Sequence, residues 1–146
     1  IYMEAKNFKS PQASEKFPDF YDHYIVTIPF QDGPLGSIDG GCPVGYAYDG
    51  RMEILGNKGM IRIGTTEGNG PVLMTLDKKA ICDTHDAWRN RFKEGYLEEM
   101  KSFIRCIQKD EKPEPSVVDG FRAVQVVEYA HRSIKQQKPI NFDGEW

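Results

Sequence analysis

The sequence predicts an α+β fold, with an open, mainly antiparallel sheet and two C-terminal helices packed on one face. Three observations carry this. Short β-branched and aromatic runs, separated by Gly, Pro, Asn and Asp, fill the first two-thirds of the chain. Apolar residues at spacings of three and four fill the last third. The composition, 39% hydrophobic and 28% charged over 146 residues, suits one soluble domain with a real core.

Taken in order, Ile1–Ala5 reads as a short strand and Lys6–Asp19, with two prolines, as a loop. Tyr24–Ile28 is β-branched and strand-like. Asp32-Gly33-Pro34 turns the chain, and Leu35–Asp39 returns as the partner strand. Pro29 has no N–H to give a ladder, so it points to an edge or a bulge near that turn. After the break at Asp39–Pro43, Tyr46–Leu55 is expected as a strand, Gly56–Gly59 as a tight turn and Met60–Ile63 as its return. Gly68-Asn69-Gly70 marks another turn before strands at Val72–Leu76 and Ala80–Cys82.

One helix is expected from Trp88 to Ile107, because Trp88, Phe92, Tyr96, Met100, Phe103, Ile104 and Ile107 form a stripe of period 3.6. Thr84 or Asp86 is the expected cap. Lys109–Pro115 is a charged linker. A second helix covers Val118–Gln136, with Phe121, Val124, Val127, Ala130 and Ile134 as its buried stripe. Pro139–Phe142 is extended.

Composition excludes several functions. No apolar run approaches the ~20 residues of a membrane span. The net charge of −3 argues against a nucleic-acid partner. Three scattered cysteines (Cys42, Cys82 and Cys106) suit a reducing cytosol better than a disulfide framework. The chain opens at Ile1 without an initiator methionine and reads as a piece of a longer protein, itself a single domain over 1–146.

The chemistry is sparse. Gly40, Gly41 and Gly45 lead into a strand rather than a helix, so they do not form a dinucleotide-binding loop, and no cofactor-binding residues are assigned. Cys82-x-x-His85 has the spacing of half a zinc site but lacks a second pair, so no metal is expected. His23, His85 and His131 have no triad partners. More informative is Tyr46-Ala47-Tyr48-Asp49-Gly50-Arg51-Met52-Glu53. On a strand, alternation puts Tyr46, Tyr48, Met52 and Ile54 on one face and Asp49, Arg51 and Glu53 on the other. This reads either as a packed face with a solvated charge ladder, or as phenols near a hydroxylated ligand, since each phenol both donates and accepts.

The run Tyr46–Gly59 resembles the central strand and turn of the C-terminal domain of glucose–fructose oxidoreductase/inositol dehydrogenase/MocA-type (Gfo/Idh/MocA) oxidoreductases. The hairpin Tyr24–Asp39, the helix Arg91–Phe103, and Asp119–Ser133 with Lys138-Pro139-Ile140 resemble its neighbouring elements, in the same order. The pattern is nearest the inositol 2-dehydrogenase branch. It departs from related polyol enzymes at Gly40-Gly41-Cys42 and at Gly50.

The resemblance implies an NAD(P)-dependent dehydrogenase acting on a sugar or cyclic polyol. Its N-terminal Rossmann domain, with the catalytic lysine and His/Asp pair, would lie outside this chain. NAD or NADP would then belong to the full-length parent, and this fragment would bind none and be inactive alone. It further implies a homo-oligomer formed through the sheet face. Either Tyr46 or Tyr48 would reach substrate, with Asp49 and Arg51 matching the same motif, and no catalytic residue is assigned here. Glu111-Lys112-Pro113 spells the family's lysine tripeptide but lies in the interhelical linker, where it is read as chance. The alternatives are a free-standing, non-catalytic dimerisation module and, more weakly, a metal-dependent sugar binder built on Cys82 and His85.

Overall fold

A computed structural model describes residues 1–142. Along them run β1 (Tyr2–Lys6), α1 (Ala13–Lys16), β2 (His23–Pro29), β3 (Leu35–Gly41), β4 (Met52–Gly56), β5 (Gly59–Ile63), β6 (Glu67–Met74), β7 (Ala80–Thr84), α2 (Trp88–Arg91), α3 (Lys93–Lys109) and α4 (Val117–Gln136). The class is α+β, and every described strand pairing is antiparallel. The strands fall into three ladders, β1-β2-β3, β4-β5 and β6-β7, rather than one continuous sheet. The described chain gathers into two compact units, Ile1–Pro43 with residues 112–142, and Val44–Glu111.

In the first unit, β2 lies between β1 and β3, with Met3 opposite Val26 and Val26 opposite Ile38. Alternation turns Met3, Val26 and their same-face neighbours toward α4. Met3, Val26 and Ala130 are buried there, with Ile1, Ala5, Tyr24, Ile28 and Ile134 packed around them. The expected α4 stripe is therefore half realised. Ala130 is in the core, whereas Phe121, Val124 and Val127 stay exposed because α4 meets β1 along its C-terminal half. Pro29 does sit in β2, but at its end beyond the reach of β1, where no ladder needs its missing N–H.

Three polar devices close this unit. Ser133, wholly buried, accepts the Met3 amide at 3.2 Å and donates its hydroxyl to the Lys138 carbonyl at 2.8 Å. Ile1 and Ile140 exchange backbone bonds at 2.8 and 2.9 Å. α4 opens with a capping box, in which Ser116 Oγ accepts from the Asp119 amide and the Asp119 carboxylate accepts from the Ser116 amide.

The Lys6–Asp19 loop is more organised than its composition suggests. Asp22, 2% exposed, accepts the amides of Phe8, Lys9 and Ser10 at 2.7–2.9 Å. Asn7 accepts the Asp22 amide and donates to the Phe20 carbonyl. Burial pushes the Asp22 carboxyl up, but the three amides and Lys9 outweigh it, and its pKa lies below the ordinary value. At Gly40, opposite Tyr24, a β-carbon would collide with the Tyr24 ring, so the glycine makes room for that aromatic.

In the second unit, β4 and β5 form a hairpin closed by Asn57-Lys58, with Gly56 opposite Gly59. The glycine-rich run at 68–70, expected as a turn, is instead an irregularity inside β6, where the register slips between Glu67 and Val72. The single helix expected over 88–107 is broken at Phe92, whose φ of −116° ends α2 and starts α3. Neither Thr84 nor Asp86 caps it. Ala87 is the N-cap, without a side-chain bond. Trp88 packs edge-on against Tyr96 across the break, with ring centroids 5.5 Å apart.

Candidate functional site

The tyrosine-rich segment is not a strand before Met52. Residues 46–51 lie outside any ladder and are held by the end of β7 and the residue that follows it. The Tyr48 amide donates to the His85 carbonyl at 2.5 Å, and Thr84 Oγ1 donates to the Tyr46 carbonyl at 2.9 Å. Asp49-Gly50 explains the difference, since both residues favour turns over extended pairing.

The expected separation of tyrosines from charges onto opposite faces is therefore overturned for Tyr46. Its hydroxyl donates to Asp49 Oδ2 at 3.0 Å. Arg51 grips the same carboxylate with two bonds, Nε to Oδ1 at 2.6 Å and Nη2 to Oδ2 at 2.7 Å. This is the planar fork that arginine and carboxylate favour. Asp49's side chain is 14% exposed and Arg51's 51%, so the pair is half sheltered.

The Arg51 bonds hold the Asp49 carboxyl below its ordinary pKa against the cost of burial, helped by Tyr46 and by the charges of Arg51 and Arg91. Asp49 in turn raises Arg51. At neutral pH the cluster thus presents an ionised acceptor, a cation and a phenol together. Tyr48 turns elsewhere and meets the Phe92 ring edge-on, with centroids 5.8 Å apart at 90°. The structure thus brings Tyr46, Asp49 and Arg51 into one cluster and sets Tyr48 beside it against an aromatic.

One residue of this neighbourhood escaped the sequence reading. Arg91 Nη2 donates to the Gly50 carbonyl at 3.2 Å. Its only sequence signal is its place at the head of the long helical motif. Among the described residues, no group of three or more His, Cys, Asp and Glu gathers as a metal site, Cys82 and His85 included. No described helix is long and apolar enough to cross a membrane.

Antiparallel ladders followed by helices, with a hydroxyl–carboxylate–guanidinium cluster in the second unit, make this an α+β domain. The chain belongs to the Gfo/Idh/MocA family. The family's profile, described as "Oxidoreductase family, C-terminal alpha/beta domain", matches residues 2–142.

Among relatives, the myo-inositol 2-dehydrogenase of Thermotoga maritima is 29% identical over 122 residues, covering 84% of this chain and 36% of that protein. The inositol 2-dehydrogenase of Rhizobium meliloti is 31% identical over 125 residues, 84% of this chain and 37% of that protein. Among solved structures, the myo-inositol dehydrogenase of Lactobacillus casei in complex with NAD(H) and myo-inositol superposes with a TM-score of 0.73 at 28% identity, covering 86% of this chain and 38% of that one. The chain thus spans little more than a third of the length of the curated relatives it matches.

Proposed function

We propose that this chain is the substrate-side and assembly domain of an NAD(P)-dependent dehydrogenase that oxidises a secondary alcohol of a sugar or an inositol-like polyol. The family match along residues 2–142 carries the reading. The Tyr46–Asp49–Arg51 cluster supports it, because a polyhydroxylated ring needs donors and acceptors side by side, and these three side chains supply both. In this reading Tyr46, Tyr48, Asp49 and Arg51 line the polyol side of the pocket.

In the full-length parent, NAD or NADP held by the preceding domain would supply the hydride acceptor, the alcohol carbon would become a ketone, and the hydroxyl proton would leave to a base outside this chain. The described residues do not fit a dinucleotide. α3 and α4 start from Phe92 and Ser116, not from a glycine turn that brings amides to a pyrophosphate. The reading therefore assigns NAD or NADP to a preceding Rossmann domain and expects this chain alone to bind none and to be inactive. That Lactobacillus casei's relative was solved with NAD(H) and myo-inositol favours this pairing of cofactor and substrate.

The sheet face turned away from α4, where Ile25 and Leu35 are exposed, is the proposed interface of a cytoplasmic homo-oligomer. The deciding experiment assays the full-length protein with NAD and NADP against a panel of inositols and sugars. Cofactor reduction with at least one secondary alcohol is expected, and no turnover on any of them removes the substrate assignment.

A further inference from the structure

We propose that Arg91 is a positioning residue for the polyol-binding turn, fixing the Gly50 carbonyl and through it the neighbouring Asp49 carboxylate. The proposal rests on the functional reading above.

Residues 46–51 lack ladder partners, so something other than strand pairing must hold them. Bonds from the Tyr48 amide to His85 and from Thr84 to the Tyr46 carbonyl hold the first half. The second half, which carries Gly50, is held by Arg91 Nη2 on the Gly50 carbonyl, 41 residues away in sequence. Gly64 leaves room for that guanidinium. A β-carbon there would collide with Arg91 Nη2 and come within 2.8 Å of the Gly50 carbonyl, and its φ of +85° already favours glycine.

Arg91 Nε is buried without an acceptor among the described residues. The bond from Nη2 to the Gly50 carbonyl and the positive charge are what this side chain brings to the turn. That charge also favours the ionised form of Asp49. Arg91 further lies 5.6 Å from the Phe92 ring, which packs on Tyr48. Arg91 thus holds the second half directly and lies beside the ring that packs on Tyr48.

The test uses the full-length enzyme with Arg91→Met, Arg91→Lys, Asp49→Asn and Tyr48→Phe, reading polyol KM, kcat and NAD affinity separately. Arg91→Met should raise polyol KM by roughly tenfold or more, with NAD affinity unchanged and kcat lowered much less. Arg91→Lys, which keeps the charge and one donor, should recover part of that loss. If Arg91→Met does not fold, Arg91→Lys decides alone, with an expected KM rise of about two- to fivefold. An unchanged KM in the Arg91 variants, while Asp49→Asn and Tyr48→Phe raise it, overturns the role of Arg91 and leaves the site standing. If none of the four variants moves KM, the site reading falls and this proposal with it.

Discussion

The Ser133 hydroxyl accepts a hydrogen bond from the Met3 amide at 3.2 Å across 130 residues of sequence and donates one to the Lys138 carbonyl. A single small side chain therefore joins the first strand, the last long helix and the segment that follows it. Both backbone groups depend on it, and Ser133 itself has no exposed surface. Ser133→Ala should destabilise the protein by about 1–3 kcal/mol, because the buried Met3 amide and the part-buried Lys138 carbonyl lose a partner. Urea unfolding measures this as a lower midpoint at unchanged slope. A midpoint shift too small to resolve would mean that water takes over both bonds.

Asp22 makes stability depend on acid. Its folded pKa lies below the usual aspartate value of 3.8, so its contribution is fully present above that value. The contribution is lost as pH falls through the lower, folded value. Asp22→Asn should therefore weaken the protein at pH 7, and the gap between variant and parent should narrow as the medium is taken below about pH 4. Unfolding curves of both proteins at several pH values check the sign.

Gly40 lies under the Tyr24 ring, and Tyr24 packs against the buried core cluster. Gly40→Ala pushes a β-carbon into that ring, a small-to-large change that should cost about 1–3 kcal/mol. A lowered melting temperature with an altered near-UV tyrosine signal is the expected result. Gly45, with open space around its β position, is the control and should tolerate alanine far better.

Tyr48→Phe in the full-length enzyme removes one hydroxyl without disturbing the edge-on contact with Phe92. A lost hydrogen bond to substrate should cost about 0.5–1.5 kcal/mol, a roughly two- to twelvefold rise in polyol KM. Tyr46→Phe should act differently, by loosening Asp49 as well as by losing a contact. If both changes leave the kinetics untouched, the tyrosines serve packing alone.

Assembly gives a separate check. Ile25→Glu puts a charge on the sheet face opposite α4, where Ile25 is 51% exposed. Light scattering should then find a smaller species than the parent forms, with the fold intact by circular dichroism. An unchanged mass would overturn this face as the proposed interface.

Much of this architecture was legible in the residues. The Asp32-Gly33-Pro34 turn and its flanking β-branched runs marked β2 and β3, Gly56–Gly59 marked the β4–β5 hairpin, and the α4 boundaries were read within one residue. The failures have local causes. The break at Phe92 is invisible to periodicity, because Phe92 stays in phase with the stripe while only its backbone departs from helix. A Gly-Asn-Gly run looks the same whether it reverses a chain or lets a strand slip register. Asp22 sits in a polar loop, and nothing in its neighbours announces three converging amides. Of the candidate site, the Asp49–Arg51 pairing followed from proximity. The participation of Tyr46 required knowing that the segment is not extended, and Arg91 is 41 residues from the carbonyl it holds.

The pairing of Ile1 with Ile140 and of Met3 with Ser133 also bears on biosynthesis. A ribosome delivers β1 well before α4, so that strand's greasy side waits until all the intervening elements are translated before its cover arrives. During that interval Met3 and Val26 are open to chaperones and to neighbouring nascent chains. Slow codons placed ahead of α4 would lengthen this exposure, and lower soluble yield would be their signature.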